Sequence, residues 1–256
     1  MKVRTTVMAA TVAVLCLTAG ACGPDDSADK GDGKDGGKAG SKASASPTPG
    51  ADAGSAPGPT PTSNGRTLTE AELTEVALVN GELPEYDFAK MPGGDERGTE
   101  QSEDEACRPI ASIINGSPEP APAATVFRTA MDTSEEGQDD QTVVTEILTS
   151  HAPGGAEQLL RSVRDAVKAC ADGFRTTSDD GPSTYSGVKA LPAPEAGQES
   201  LAYQVTGSIE GEGVPLVFQL VRTGSTVVTF YAVNFLSAMT PEVPAELVTA
   251  QVAKLP

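Results

Sequence analysis

The sequence predicts an α+β fold in which one antiparallel sheet is packed by helices, standing behind a long disordered N-terminal tether. Three observations carry this. Residues 23–66 contain no Ile, Leu, Val, Met or aromatic residue, so nothing there can bury a core. From residue 67 onward, segments of helical period (69–81, 154–172 and 241–255) bracket segments rich in β-branched residues. Within 200–209, Leu201, Tyr203, Val205 and Ile209 alternate with Ala202, Gln204, Thr206 and Ser208, as in an antiparallel strand covered on one face.

Residues 1–21 read as a leader. Lys2 and Arg4 precede an apolar run over 7–17, too short to span a bilayer as a mature helix and followed by small residues, which is a signal-peptide pattern. Leu15-Cys16-Leu17-Thr18-Ala19-Gly20-Ala21-Cys22 resembles the bacterial lipobox, in which small residues precede a cysteine that is lipidated on its sulfur and acylated on its new amino terminus. The resemblance implies that Cys22 begins the mature chain and carries the lipid. Ala19 stands where the lipobox usually has Leu, which leaves cleavage after an Ala-x-Ala-like site as the alternative; Cys16 follows Leu15, too large for that place. Two or three acyl chains hold a protein far more firmly than one, so the expected location is the extracytoplasmic face of the cell membrane.

The tether spans 22–66. Asp and Lys alternate with Gly over 29–42, and Pro, Ala, Ser and Thr fill 44–62. A flexible coil of this length averages roughly 35 Å end to end, further where Pro stiffens it, enough to lift a domain off the membrane. Its charges nearly cancel, so the acidity belongs to the folded part. With 18 Lys+Arg against 36 Asp+Glu the chain carries −18, and losing the two leader cations takes it to −20. So acidic a chain repels phosphate backbones, which excludes nucleic acid, and resists lying flat on anionic lipid. Membrane association is expected from the lipid anchor alone.

The folded domain, 67–256, opens with Thr69 followed three residues later by Glu72, a capping box; Leu73, Val76, Ala77 and Asn80 continue the helical spacing to Gly81. Residues 83–86 and 91–94 read as loop and turn. The acidic stretch 95–105 leads to Cys107, 109–115 reads as a short helix stopped by Gly116, and Pro118, Pro120 and Pro122 force an extended connection. Two strands, 125–131 and 142–151, flank a polar loop at 132–140. Asp132, Ser134, Glu136 and Gly137 fall on the first landmarks of a calcium loop, yet Val143 takes the place of its bidentate Glu and the flanks are strands. The loop is therefore read as a solvated hairpin loop, and no metal site or cofactor is expected. His151, the sole histidine, has no nucleophile signature beside it and reads as structural.

The clearest helix, 154–172, repeats Ala156, Leu159, Leu160, Val163, Val167 and Cys170 along one face, which points Cys170 into the core. With Cys16 in the leader and Cys22 lipidated, Cys107 and Cys170 remain in an oxidising compartment and most simply pair; two buried free thiols are the alternative. The pair closes a loop of roughly 64 residues, worth at most about 4 kcal/mol. The opposite face carries Arg161, Arg164 and Lys168, the only basic stripe in an acidic domain. It is a candidate site for an anionic ligand or wall polymer, against the plainer role of solvated cations near a helix C-terminus. Strands follow at 174–177, 183–191, 200–209, 214–221 and 226–235. The last two are joined by Arg222-Thr223-Gly224-Ser225, a tight hairpin signal, and are apolar on both faces, which places them at the sheet's centre. Leu247, Val248, Val252 and Leu255 make 241–255 a final helix across the sheet, and Tyr86, Phe88, Tyr185, Tyr203 and Tyr231 are read as core before pocket.

This order is similar to the PknH-like extracellular sensor domain of actinobacterial serine/threonine kinases and its free-standing lipoprotein relatives, over roughly residues 68–255. The residues that carry the resemblance are Glu82-Leu83-Pro84, Cys107, Lys168-Ala169-Cys170, the strand 201–205, and Val221-Arg222-Thr223-Gly224-Ser225 before the strand 226–235. It implies a twisted antiparallel sheet backed by helices around a cleft that binds an undefined extracellular ligand, with no catalytic residues. The kinase sensors carry a second disulfide for which this domain has no cysteines, and any signal is expected to pass to a separate protein. The expectation is thus a monomeric surface lipoprotein with a non-catalytic, sensor-like domain for a small ligand, wall component or envelope protein. A structural or partner-binding envelope lipoprotein is the alternative. The enzyme reading rests on Ser186-Gly187-Val188-Lys189, the Ser-x-x-Lys form of penicillin-interacting serine enzymes. That form needs a helix to bring Lys one turn from Ser, whereas this segment reads as a strand whose residues three apart face opposite sides.

Overall fold

The computed structural model describes residues 65–90, 97–179, 181–209, 211–234, 236 and 239–256. The leader, Cys22 and the tether to residue 64 lie outside the described residues, as do 91–96 and Phe235. Strands β1 (Tyr86–Ala89), β2 (Gln101–Ser102), β3 (Ala124–Asp132), β4 (Val143–Ser150), β5 (Phe174–Ser178), β6 (Gly181–Leu191), β7 (Glu199–Ile209), β8 (Glu212–Thr223) and β9 (Thr226–Val233) pair antiparallel throughout, in the order β1-β3-β4-β9-β8-β7-β6-β5-β2. The hairpin pair β8 and β9 stands at the centre, as its apolar sequence predicts. The helices are α1 (Glu70–Val76), α2 (Arg108–Ile114), α3 (Glu135–Asp140), α4 (Gly155–Ala169) and α5 (Ala245–Ala253).

Both faces of the sheet are covered, where the alternation of β7 predicts one. On the first, α2 and α4 bury Leu159, Leu160 and Val163 against Tyr203, Phe218 and Leu220. On the second, α1 and α5 bury Leu73, Leu247 and Val248 against Val217, Val221, Val228 and Phe230. Central strands that are apolar on both sides need two covers. Ala202, on the polar side of β7's alternation, is buried for the same reason, while Thr184 and Ser186 on the outlying β6 stay exposed. Tyr203, Phe218 and Tyr231 stack side by side across three strands with ring centroids 5.1 and 4.9 Å apart, so these aromatics are core.

Three local expectations are corrected. First, α1 begins at the predicted capping box, with Thr69 and Glu72 satisfying each other's backbone donors, but ends at Val76 and not at Gly81. Side chains from α5 and its C-cap take over its last groups: Gln251 Nε2 donates to the Val76 carbonyl (2.9 Å), the Leu78 N–H donates to Gln251 Oε1 (2.9 Å), and Lys254 Nζ donates to the Ala77 carbonyl (2.8 Å). Second, β1 and β2 form the sheet's edges in stretches where the sequence predicts no strand; at four and two residues they are too short to show a period, and short edges resist pairing with other chains. The Phe88 N–H on β1 is sealed by Asn80 Oδ1. Third, the 132–140 loop contains α3, because the Ser134 side chain caps it by accepting from the Gly137 N–H (3.0 Å).

The cysteines are joined. Cys107 closes a 3-10 turn (Glu105–Cys107) ahead of α2, and Cys170 ends α4, with 5.9 Å between Cα atoms. At the start of the described chain, Gly65 lies so close to the β8–β9 turn that a Cβ would run into the Ser225 nitrogen. Thr67 Oγ1 donates to the His151 carbonyl (2.9 Å) and the Leu68 N–H to Ser150 Oγ (2.6 Å). The chain therefore joins the domain at the hairpin end of the sheet.

Candidate functional site

The opposite end of the sheet holds a cleft of about 390 Å³. It forms where β3 ends at Asp132, α3 supplies Glu136 and Asp140, β4 begins, β9 gives way to Asn234, and residues 239–244 lead into α5. Ala130, Val144, Pro241 and Pro244 give it an apolar floor, the Tyr86 ring forms part of a wall, and Asp132, Glu136, Asp140 and Glu242 line its sides. Among the described lining residues there is no Lys or Arg. The Tyr86 hydroxyl donates to Glu246 Oε1 (3.1 Å), and burial together with that carboxylate raises its pKa. The first three calcium-like residues of the sequence therefore meet here or nearby, but as the cap and first turn of a helix: Asp132 Oδ1 accepts from the Ser134 N–H (2.9 Å), and Ser134 caps α3. Among the described residues no cluster of three or more acidic, His or Cys side chains converges as metal ligands do. The cleft thus combines acidic sides with an apolar floor.

The basic stripe lies elsewhere. Arg164 Nη2 donates to Glu199 Oε1 (2.8 Å), and Lys168 stands 3.7 Å from Asp165, both side chains of that pair being over 70 % exposed (72 % and 74 %). Arg161 is exposed and has no hydrogen-bond or ion-pair partner among the described residues. Arg164 and Lys168 also border a small groove against β6 and β7. The hub of this region is Arg222, which the sequence marks only as part of a turn. Its side chain, 11 % exposed, reaches Glu157 Oε1 (3.3 Å), Glu199 Oε2 (3.3 Å), Gln198 Oε1 (3.0 Å) and the Gly224 carbonyl (3.1 Å). Four acceptors around one guanidinium use its fixed fork of donors.

His151 is buried, with Nε2 3.0 Å from Thr149 Oγ1. Burial pulls its pKa down to about 4 against the opposing pull of the Pro120 carbonyl, so the ring is neutral at pH 7. Ser186 and Lys189 lie on β6, as expected of a strand, but a register shift between Tyr185 and Val188 turns both of those residues inward. Ser186 and Lys189 are consequently both exposed, and the opposite-face expectation fails at the bulge. No hydrogen bond joins them, and no helix brings them together.

The arrangement thus defines a class: a doubly covered antiparallel α+β domain with an acidic cleft at the end of the sheet remote from residue 65. No protein-family model matches the sequence, and no curated protein matches it either. Among solved structures, a similar one is the crystal structure of the extracellular domain of PknH from Mycobacterium tuberculosis, with a TM-score of 0.48 and 11 % identity, covering 74 % of this chain and 97 % of that one. At that distance the likeness has no functional consequence. No helix among the described residues is long and apolar enough to cross a membrane.

Proposed function

We propose that this chain is a lipid-anchored, extracytoplasmic binding protein without catalytic activity, whose domain holds an organic cation bearing an apolar body. The observation that carries the reading is the cleft: four carboxylates without a cation among its lining residues, over an apolar floor, at a volume inside the roughly 300–1,000 Å³ range of small-molecule sites. The lipobox-like residues around Cys22, the tether composition and a disulfide suited to an oxidising compartment support the location. The cleft opens at the far end of β9 from Gly65 and Arg66, roughly 25 Å away along the strand.

The first experiment is native against denaturing mass spectrometry on the protein purified from its own envelope, followed by titration with hexylammonium. A retained mass with a basic group, or hexylammonium binding weakened about two- to fivefold by each of Glu136→Gln and Glu242→Gln, supports the reading. Absence of both overturns it. A second reading, capture of a protein partner, is favoured by Leu236 and Met239, 73 % and 64 % exposed, Met239 lying on the cleft wall. Crosslinks from these residues to one envelope protein on whole cells support that reading over the small ligand.

A further inference from the structure

We infer that a second site, the groove between α4 and the β6–β7 strand pair, binds an amphiphilic anion: a single apolar chain ending in a carboxylate or phosphate. Its apolar walls are Val167 from α4 with Ala190 and Leu201 from the sheet, while Arg164 and Lys168 stand at its rim. The volume, about 220 Å³, falls below the roughly 300 Å³ at which pockets begin to enclose whole drug-sized ligands, so the groove accommodates a chain and not a ring system.

The charge balance singles out this place. Arg222 and Arg164 share Glu157 and Glu199, two cations against two carboxylates. That leaves Lys168 and, about two turns back along the same helix face, Arg161. Among the described residues, Lys168's only ion-pair partner is the solvent-exposed Asp165 at 3.7 Å, and an exposed pair at such a distance holds its members weakly, so an incoming anion displaces little. The acidic cleft stands at the other end of the sheet, several strands away and beyond the Debye length of roughly 8–10 Å; its carboxylates do not repel an anion here. A bare anion gains little from exposed cations, and a bare chain gains nothing from them. The groove supplies both halves of one ligand.

The test uses the full mature chain with Cys22→Ser, which is free of lipid and of detergent, and decanoate as the probe below its micelle concentration. Calorimetry is expected to show decanoate bound at least about tenfold more tightly than neutral decyl maltoside, and acetate not bound. Amide resonances of Ala190, Leu191, Ser200, Leu201 and Ala202 are expected to shift together. Lys168→Gln should weaken decanoate about three- to tenfold, and Ala190→Trp, placed at an exposed lining position, should abolish it while the remaining amide spectrum stays native. Vesicles of phosphatidylglycerol that bind the chain while decanoate does not locate the anion in a bilayer and overturn the assignment to a free amphiphile. Equal affinity for decyl maltoside, or decanoate binding that neither substitution weakens, overturns it as well. Hexylammonium binding is unaffected by either substitution, so the two sites succeed or fail separately.

Discussion

Glu146 sits at the middle of β4, in register with Arg128 on β3 and Phe230 on β9, fully buried and with neither carboxyl oxygen hydrogen-bonded. Burial raises its pKa to about 8, against the weaker opposing pull of Arg128 and then Lys254. A carboxyl held protonated in the folded state contributes stability that is fully present below its unfolded value near 4.5 and lost as pH rises towards 8. His151 has the opposite sign: its contribution is present above 6.5 and lost as pH falls towards 4. Between pH 4.5 and 6.5 the two slopes oppose and nearly cancel; from 6.5 to 8 only Glu146 acts, and stability should fall by about 1.4 kcal/mol per pH unit. Urea unfolding across pH 5–8 reads this directly, and Glu146→Gln should flatten the alkaline fall. A fall that persists in the variant assigns it to another group. At Arg222, replacement by Met should cost about 3–5 kcal/mol, because Glu157 and Glu199 lose the cation between them. A loss below about 1 kcal/mol would show that water already screens the network.

At the scale of elements, α1 shows how local signals and long-range contacts divide the work. Its start is encoded within four residues by the capping box, and its end is imposed by Gln251, 173 and 175 residues away from the groups it satisfies. Gln251→Leu leaves a buried donor and a buried acceptor unpaired, which should cost about 2–4 kcal/mol and speed hydrogen exchange across 70–78 more than in α4. Uniform exchange would mean that α1 is held by its apolar face alone. The turn after α4 depends on Gly173, whose φ of +97° suits glycine and whose position leaves no room for a Cβ beside the Tyr185 carbonyl. Gly173→Ala should therefore destabilise by more than the roughly 1 kcal/mol of a helix-interior exchange, and a smaller change in unfolding midpoint would contradict that account.

Across the whole molecule, the disulfide ties the segment before α2 to the end of α4, a separation of 63 residues. Reduction should cost about 2–4 kcal/mol, seen as a lower denaturation midpoint in reductant. Both sheet faces carry their own apolar core, so the reduced chain is expected to stay folded at room temperature. The two proposed sites lie at different ends of this frame, one lined by carboxylates and one rimmed by cations, and a net charge alone reveals neither.

The sequence by itself determined the periodic elements: the capped start of α1, the amphipathic α4 with Cys170 inward, the β7 alternation and the central β8–β9 hairpin. It also limited the cysteines that can pair. These rest on spacing and on contacts within a few residues, which a linear reading captures. Only the tertiary structure decided where α1 ends, that the sheet is covered twice, that β1 and β2 are strands, that Arg222 anchors four acceptors, and that Asp132, Asp140 and Glu242 share one cleft. The physical reason is the same in each case. Those features are fixed by partners far apart in the chain, and burial of apolar surface and satisfaction of buried polar groups are settled only when the packed elements meet.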